Sequence, residues 1–367
     1  MGSIFGTLFR VSTWGESHGA AVGVVVDGVP AGLPLEMEEV QAFLDRRKPG
    51  QSRYASARAE DDRVEILSGI FEGQTTGTPI SMMVRNADHR SADYSHIQHI
   101  FRPGHADYTF WQKYGIRDYR GGGRSSARET IGRVAGGAIA AKLLEEMGMD
   151  FLTYTKSIGP HEIFHIHPEE IAENPLNMPD KGAAEKAMAY IEEAMRDSDS
   201  VGGVVECRVN GLPVGLGENV FEKLDARLAE AMLSIGAAKG FEIGAGFEAA
   251  GLRGSIDNDA FKAEDGRVQK NTNYSGGVLG GMSDGSELVF RVAFKPTPSI
   301  AREQSTITTE LENTTISIHG RHDPVIVPRA VVVVESMAAL VLADLLLLNA
   351  TARMEWLHRI YDPGRTE

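Results

Sequence analysis

A helix-forming stretch built largely from small residues places the strongest constraint on how this chain folds. The segment from Ala127 to about Met147 contains the run Gly136-Gly137-Ala138-Ile139-Ala140-Ala141. Ser126 and Glu129 at its start match a Ser-x-x-Glu capping box, and Gly148 supplies a stop signal at its end. Because small side chains let neighbouring elements approach closely from several sides, we expect this helix to lie at the centre of the molecule.

The most apolar stretch of the chain, residues 330–350, carries two acidic side chains, Glu335 and Asp344. A membrane-spanning helix needs about 20 residues that are largely uncharged. The stretch therefore predicts a buried helix of a globular protein.

The first residues lack the basic and apolar regions of a signal peptide. The single cysteine, Cys207, allows neither an intramolecular disulfide nor a thiolate zinc site, and we expect a cytoplasmic protein.

Groups of short β-forming runs alternate with longer helix-forming segments. Further helices are predicted over Met37–Arg46 and Phe221–Leu233. Strands are predicted over Val22–Val26, Val64–Ile70, Pro79–Val84, Val204–Val209, Phe241–Ile243 and Leu288–Phe294. This alternation favours an α+β layered architecture.

Two similar peptides lie about half a chain length apart. Residues 26–33 read Val-Asp-Gly-Val-Pro-Ala-Gly-Leu, and residues 209–216 read Val-Asn-Gly-Leu-Pro-Val-Gly-Leu. Each follows a predicted strand and precedes a predicted helix. The similarity indicates one domain, residues 1–367, made of two similar halves of about 1–190 and 191–367. Because turns share a common residue composition, a chance match between the two peptides explains their similarity equally well.

The charge distribution points to a small anionic ligand. A formal net charge of −14 argues against nucleic-acid binding. The cations are nevertheless clustered, five of them within residues 46–58 with no acid between them, and five arginines within residues 117–133. Local cationic patches on an acidic protein suit a small anion, although solvated surface charge is the alternative for either cluster alone.

Two glycine-containing turns carry histidines. Gly15-Glu16-Ser17-His18-Gly19 precedes a predicted strand; its glycines allow a tight turn, and His18 belongs to the residue type that titrates near neutral pH. Arg102-Pro103-Gly104-His105-Ala106-Asp107-Tyr108 combines a cation with a second histidine, which suits contact with an anion together with proton transfer. Taken alone, each turn is also compatible with a structural role.

A glycine-rich loop leads into the N-terminus of the small-residue helix. It reads Arg120-Gly121-Gly122-Gly123-Arg124-Ser125-Ser126-Ala127-Arg128-Glu129-Thr130. Free backbone amides and the helix dipole favour an anion at such a place, and hydroxyls and arginines add donors. No Gly-Lys-Ser/Thr follows, which excludes a Walker A loop. The loop predicts phosphate binding, with an ordinary helix cap as the alternative.

Two later segments complete the set of candidate site motifs. Lys295-Pro296-Thr297-Pro298-Ser299 follows a predicted strand, and Gly320-Arg321-His322-Asp323-Pro324 precedes the apolar helix. Asp323 suits either a salt bridge or acceptance of a proton.

Two further patterns do not indicate sites. Gly244-Ala245-Gly246-Phe247-Glu248-Ala249 matches a dinucleotide fingerprint only loosely, because the surrounding βαβ unit is lacking. The histidines at 161, 165 and 167 have no metal-ligand spacing, and we expect no metal site.

In their order along the chain, these motifs resemble the chorismate synthase family. The residues that carry the resemblance are Gly15-Glu16-Ser17-His18-Gly19 with Asp27-Gly28-Val29-Pro30, Arg46-Arg47-Lys48-Pro49-Gly50-Gln51, Arg102-Pro103-Gly104-His105-Ala106-Asp107, Gly123-Arg124-Ser125-Ser126-Ala127-Arg128-Glu129-Thr130, Lys295-Pro296-Thr297-Pro298-Ser299 and Arg321-His322-Asp323-Pro324. Such ordered blocks cover nearly the whole chain and are far more specific than any one of them. The resemblance implies a β-α-β sandwich, with helices between two antiparallel sheets, assembled as a homotetramer.

The resemblance also implies a reaction and a cofactor. The family eliminates phosphate from 5-enolpyruvylshikimate 3-phosphate in the 1,4-anti sense, giving chorismate for aromatic amino acid biosynthesis. Such an enzyme is a carbon–oxygen lyase that requires reduced FMN without net redox change. The reductant would be NADPH or another external donor. The alternatives are an NAD(P)H-dependent flavin oxidoreductase and a non-catalytic phosphometabolite-binding protein; the two histidines together with Asp323 argue against mere binding.

The same resemblance implies roles for individual residues. His18 would protonate the departing phosphate, His105 would govern the protonation of the reduced flavin near N1, and Asp323 would assist proton removal near N5. The anionic substrate would be bound by Arg47, Arg53, Arg102, Arg128 and Arg321. FMN would be held by Arg124, Ser125, Ser126, Ala127, Gly236, Ala237, Gly280, Lys295, Pro296, Thr297, Pro298, Ser299 and Arg321. The sequence departs from the family pattern at Gly236, where asparagine is usual, which puts one flavin hydrogen bond in doubt.

Overall fold

Two antiparallel sheets enclose a layer of helices. The computed structural model describes residues 2–55, 60–86, 97–120, 122–318, 320 and 322–362. Each large sheet has five strands, and the long helices pack between the two sheets and against each other. The α+β class and the β-α-β sandwich predicted from the sequence are confirmed.

The strands alternate buried and half-exposed residues, as expected when only one face of each sheet covers the core. The first sheet has the spatial order β1 (Ile4–Phe5), β2 (Arg10–Gly15), β3 (Ala21–Asp27), β7 (Ile80–Arg85) and β4 (Val64–Ile66). The second has the order β11 (Ala238–Ile243), β16 (Leu288–Phe294), β10 (Gly203–Asn210), β8 (Asp150–Ile158) and β9 (His161–Glu162). Small hairpins pair β5 (Ile70–Phe71) with β6 (Gln74–Thr75), β12 (Phe261–Glu264) with β13 (Arg267–Lys270), β14 (Val278–Leu279) with β15 (Met282–Ser283), and β17 (Gln304–Ile307) with β18 (Asn313–Ile316).

The helices differ in how deeply they are buried. In chain order they are α1 (Met37–Arg47), α2 (Asp107–Tyr114), α3 (Thr130–Glu146), α4 (Lys181–Arg196), α5 (Leu224–Leu233), α6 (Gly254–Asp257), α7 (Val327–Asn349) and α8 (Met354–Tyr361). Short 3₁₀ turns cover Gly123–Ser125, Ala127–Glu129, Pro168–Glu173 and Gly246–Gly251. The central layer is formed by α3 and α7, with α1 and α5 beside them.

Most predicted elements appear where the sequence placed them, and the differences have local causes. The strand predicted over Val64–Ile70 ends at Ile66, because Gly69, at φ 87°, turns the chain into the β5–β6 hairpin. The helix predicted from Phe221 begins only at Leu224, since Glu222 has a left-handed backbone with φ 57°. Ser126 caps the turn before α3 by accepting from the Arg128 amide, whereas Glu129 pairs with Arg133 instead of completing a capping box.

Two sets of elements have the same strand order and helix placement. The first set runs through β2, β3, α1, β4, β7 and α3, and its strands lie in the order β2-β3-β7-β4. The second set runs through β8, β10, α5, β11, β16 and α7, and its strands lie in the order β8-β10-β16-β11. The second set begins at Asp150, earlier in the chain than the boundary near residue 190 proposed from the sequence. The similar peptides follow β3 and β10. We propose that the similarity of the two peptides reflects this common topology.

Glycines of α3 bring its backbone against both neighbouring layers. A Cβ atom at Gly132 would lie 2.9 Å from Thr13 Cγ2 of the first sheet, and one at Gly137 would lie 2.3 Å from Ser336 Cβ of α7. Contacts below 3.0 Å leave no room for a side chain, so the helix touches the sheet on one side and α7 on the other. The predicted central position of α3 is therefore confirmed.

The two acids of α7 are buried and paired inside the protein. Glu335 accepts two hydrogen bonds of 2.7 Å from Arg46. Asp344 accepts from the backbone amides of Thr7, Leu8 and Phe9 at 2.7–3.0 Å, which anchors the N-terminal segment. Although α7 is long and apolar enough to cross a membrane, most of it is buried within the fold. The predicted buried helix is confirmed.

The close contact at Gly137 predicts the effect of adding one methyl group. Gly137→Ala should lower the free energy of unfolding by about 1–3 kcal/mol, the usual effect of overpacking, although alanine favours a helix over glycine by about 1 kcal/mol. Gly182→Ala in α4 is the matched control, because its Cβ would meet only Asp180 Oδ1, at 3.5 Å. Urea unfolding should show the control unchanged or stabilised; equal stability of both variants would contradict this account.

Candidate active site

The His18 turn joins β2 to β3 and is closed by side chains from outside it. Gly15 has φ 87°, and a Cβ there would lie 2.2 Å from the Ala21 carbonyl oxygen, so this position requires glycine. His18 is half-buried, and its Nδ1 lies 3.2 Å from the Ser17 hydroxyl. The side-chain amide of Asn86, at the end of β7, donates to the carbonyls of Glu16 and Gly19 at 2.8 and 2.7 Å.

The glycine-rich loop packs against this turn. Arg124 donates to the Thr13 hydroxyl at 2.7 Å and to the Gly15 carbonyl at 3.2 Å, so its guanidinium ties the loop to β2. Ser125 and Ala127 are exposed, while Ser126 is half-buried at the cap. The predicted anion-binding loop thus lies beside the His18 turn, with hydroxyls and backbone amides at its surface.

A buried carboxylate holds two of the candidate substrate-binding arginines together. Asp62 pairs through Oδ2 with Arg47 Nη2, and through Oδ1 with Arg128 Nη1 at 2.9 Å. Arg128 also pairs with Glu60. The Asp62 side chain is fully buried and that of Arg47 is 3% exposed. Two cations and two carboxylates therefore lie together in a dry environment, where charge interactions are strong, and Asp62 links the two arginines.

Asp323 reaches the same region through a third arginine. Arg329, near the start of α7, donates from Nη1 to Asp323 Oδ2 at 2.6 Å and from Nε to the Arg47 carbonyl at 3.0 Å. Burial lowers the pKa of Arg329, an effect that Asp323 partly offsets and Arg47 reinforces. The ends of α1, α3 and α7 thus meet around Arg47.

The second histidine lies on a turn fixed by another arginine–carboxylate group. Asp107 accepts two side-chain bonds of 2.8 Å from Arg102 and pairs with Arg117 at 3.0 Å. His105 Nδ1 lies 2.9 Å from the Pro103 carbonyl and Nε2 lies 2.8 Å from the Ser299 hydroxyl. The tertiary fold therefore brings the Arg102 turn and the Lys295–Ser299 segment into contact. Residues of both segments were assigned to one active site from the sequence, and this contact is compatible with that assignment.

The surroundings of His105 favour its neutral form. Burial, with the charges of Arg102 and Lys295, lowers its pKa to about 4, while the Pro103 hydrogen bond and Asp107 oppose the shift. Lys295 Nζ donates to the Gly104 carbonyl at 2.7 Å, and its own pKa is lowered by burial and by Lys239. His105 is thus an uncharged hydrogen-bonding group at neutral pH, beside a cation.

The remaining candidate residues on the 295–299 segment and near Gly236 adjoin the same turn. Pro298 lies against Gly104, whose Cβ would be 2.7 Å from Pro298 Cβ. The Thr297 carbonyl accepts from Ser200 at 2.6 Å. Pro296 is exposed, and the Lys295 amide donates to the Ala237 carbonyl at 3.0 Å. Gly236 is exposed, and a Cβ atom added there would have no heavy atom within 4 Å.

Two predicted residues stand apart from this group. Arg53 pairs with Glu192 of α4 and lies over the Tyr54 ring, with 71% of its side chain exposed. Gly280 lies in the β14–β15 turn next to the start of α5, whereas Gly236 follows the other end of that helix. Among the residues that the structure describes, neither Arg53 nor Gly280 is hydrogen-bonded or ion-paired to His18 or His105. Arg321, also predicted, lies outside the described residues.

Sequence reasoning missed the residues that hold the site together. Asp62, Asn86 and Arg329 were not predicted, although each bonds to a predicted site residue or to the His18 turn. The acidic run Glu60-Asp61-Asp62 directly after the cationic cluster was the one available signal for a buried ion-pair network. Across the parts of the chain that the structure describes, no group of three or more His, Cys, Asp or Glu side chains could hold a metal ion.

Comparisons with known proteins point to one family. The chorismate synthase family model matches residues 9–347. A chorismate synthase of Lachnoclostridium phytofermentans is 61% identical over 363 residues, covering 98% of this chain and 99% of that protein. One from Methanosarcina mazei is 56% identical over 348 residues, covering 94% and 95%. A crystal structure of chorismate synthase superposes with a TM-score of 0.76 at 33% identity, covering 98% of this chain and 97% of that one.

The lowered pKa of His105 predicts how stability depends on pH. The unfolded chain protonates a histidine near pH 6.5, whereas folded His105 protonates at about pH 4. Stability from the neutral ring is complete above pH 6.5 and is lost as pH falls toward 4. Between pH 7 and pH 4, the free energy of unfolding of the wild type should fall by about 2–3 kcal/mol more than that of His105→Gln. The size follows from the lowered pKa, because each tenfold change in proton affinity corresponds to about 1.4 kcal/mol. Urea unfolding between pH 7 and 4 tests this; parallel curves would refute it.

Proposed function

The chain belongs to the chorismate synthase family, and from that membership we propose that it converts 5-enolpyruvylshikimate 3-phosphate into chorismate by 1,4-anti elimination of phosphate, with reduced FMN as cofactor. It is a lyase of the shikimate pathway and of aromatic amino acid biosynthesis. The observation that carries the proposal is the match of the family model to residues 9–347, a span that includes both histidine turns and the arginines paired with Asp62 and Asp107.

Substrate binding is assigned to the arginines held by buried carboxylates. The substrate carries two carboxylates and a phosphate, so it needs several cations in a site from which water is largely excluded. Arg47 and Arg128 share Asp62, and Arg102 and Arg117 share Asp107, so that cations outnumber the acids that orient them. The proposed roles of Arg53 and Arg321 rest on the family pattern alone.

Proton handling is assigned to His18 and Asp323. His18 delivers a proton to the departing phosphate, and the Ser17 hydroxyl at 3.2 Å from Nδ1 orients its ring. Asp323 assists removal of the substrate proton, and its carboxylate is oriented by the 2.6 Å bond from Arg329. Both residues connect to the Asp62 ion pairs through neighbouring side chains, which supports their acting at one substrate.

The residues present fit a flavin mononucleotide. The Thr297 hydroxyl is buried and has no hydrogen-bond partner among the described residues, Lys295 supplies a cation beside His105, and Ser125 and Ala127 are exposed at a helix start. Reduced FMN, when bound, supplies electron density for C–O cleavage and recovers it afterwards. Neutral His105 directs its Nδ1–H at the Pro103 carbonyl, so its Nε2 would be the acceptor on the cofactor side and would add no charge. Lys295 and Ser126 would hold polar groups of the flavin.

The wider setting follows the family pattern. We propose a cytoplasmic homotetramer whose flavin is reduced by NADPH or another external donor. Membership of a lyase family supports the lyase over the flavin oxidoreductase and the non-catalytic binding protein.

An anaerobic assay tests the function directly. With reduced FMN and 5-enolpyruvylshikimate 3-phosphate, the protein should form chorismate and phosphate in equal amounts, with the flavin remaining reduced. His18→Ala should lower kcat by about 10²–10⁴-fold, the usual contribution of a general acid. Turnover without any flavin, or NADPH consumed in proportion to product, would overturn the proposal.

Gly236→Asn should strengthen flavin binding. Asparagine is usual here in the family, and the structure has open space around Gly236 and a backbone outside the left-handed region. One neutral hydrogen bond contributes about 0.5–1.5 kcal/mol, so FMN affinity should tighten from a few-fold to about tenfold. Gly236→Ala is the control, because it adds Cβ without the amide. FMN fluorescence titration in the presence of substrate measures both; equal affinities for the two variants would show that the amide makes no such bond.

A further inference from the structure

Asn86 contacts the His18 turn and a candidate substrate-binding arginine at the same time. It is the residue that follows β7, and its backbone amide donates to the Ala20 carbonyl at 3.1 Å, which continues the pairing with β3. Its side-chain Nδ2 donates to the carbonyls of Glu16 and Gly19, at 2.8 and 2.7 Å. These two carbonyls flank Ser17 and His18, so one amide group closes the turn around the histidine.

The oxygen of the same side chain accepts a hydrogen bond from Arg128 Nε. Arg128 in turn donates from Nη1 to Asp62, which also pairs with Arg47. Arg128 is 7% exposed and Asp62 is fully buried, so this connection lies inside the protein. The position of the His18 turn is thus joined to the position of the arginine pair through a single side chain.

The connection continues to Asp323. The Arg47 carbonyl accepts from Arg329 Nε at 3.0 Å, and Arg329 Nη1 donates to Asp323 at 2.6 Å. One hydrogen-bonded path therefore runs from the His18 turn through Asn86, Arg128, Asp62, Arg47 and Arg329 to Asp323, and it passes through the backbone carbonyl of Arg47. The turn that carries His18 lies at one end of this path and Asp323 lies at the other.

We propose that Asn86 is a positioning residue of the reaction, which sets His18 relative to the bound phosphate by fixing the His18 turn against Arg128. This rests on the proposed function of His18. The role needs a side chain that donates two bonds and accepts one from a cation, and a short carboxamide does both. An aspartate at this place would still accept from Arg128, but it would set a carboxylate against two carbonyl oxygens.

Asn86→Ala and Asn86→Asp separate positioning of His18 from binding through Arg128. In Asn86→Ala, kcat should fall by about 10²-fold, because a reacting group misplaced by roughly 1 Å costs about that much in rate. KM should rise as well, because Arg128 loses its hydrogen bond to the Asn86 side chain. In Asn86→Asp, kcat should fall comparably while KM stays near the wild-type value. Steady-state kinetics with reduced FMN measures both parameters.

Asn273→Ala controls for the loss of a loop-closing asparagine. Its Nδ2 donates to the Glu287 carbonyl at 2.8 Å and its oxygen accepts from Lys270 at 3.1 Å, the same kind of bonding in the second half of the chain. This variant should lose thermal stability to a similar extent and keep its kcat. If it loses kcat as much as Asn86→Ala does, Asn86 has only a structural role.

A readout without turnover distinguishes this proposal from the proposed function. In protein labelled at histidine, the His18 ring signal, identified by its absence in His18→Ala, should shift in both Asn86 variants and not in Asn273→Ala. An unshifted signal, or a native kcat in Asn86→Asp, would overturn the role of Asn86. If the wild type forms no chorismate, the proposed function fails, while the ring signal still decides whether Asn86 positions His18.

Discussion

The contact of the α3 backbone with both neighbouring layers is the constraint on which the rest of the structure depends. Gly132 allows the helix to touch Thr13 on the first sheet, and Gly137 allows it to touch Ser336 of α7. With these distances fixed, the N-terminal ends of α3 and α7 come to the same side of the molecule as the end of α1. That is where Arg47, Arg128 and Arg329 meet.

Burying several arginines at one place is costly, and the protein offsets that cost with buried carboxylates. Removing charges from water is unfavourable unless the charges are paired and hydrogen-bonded. Asp62 orients Arg47 and Arg128, and Glu60 adds a second carboxylate to Arg128. Asp107 alone orients Arg102 and Arg117, so one cation of that group is not neutralised. A site with a remaining positive charge and fixed donors suits a substrate with three anionic groups, because little reorganisation is needed on binding.

The two histidines have different neighbours. His18 lies on a half-buried turn beside the glycine-rich loop, while His105, also half-buried, contacts Ser299 and lies close to Lys295 and Arg102. Burial and neighbouring cations keep His105 neutral, with a pKa of about 4. This environment suits the proposed role of His105 as an uncharged hydrogen-bonding group.

The class of fold, the central helix and the motifs of the site could all be predicted from local patterns. Small residues in α3, acids within the apolar α7 and alternating strands have consequences that follow from neighbouring residues. The links made by Asp62, Asn86 and Arg329 between those motifs became visible in the folded molecule, as did the separate positions of Arg53 and Gly280 among the described residues. Each link joins residues far apart in sequence, and a buried polar group finds its hydrogen-bond partner through three-dimensional geometry that a local pattern does not encode.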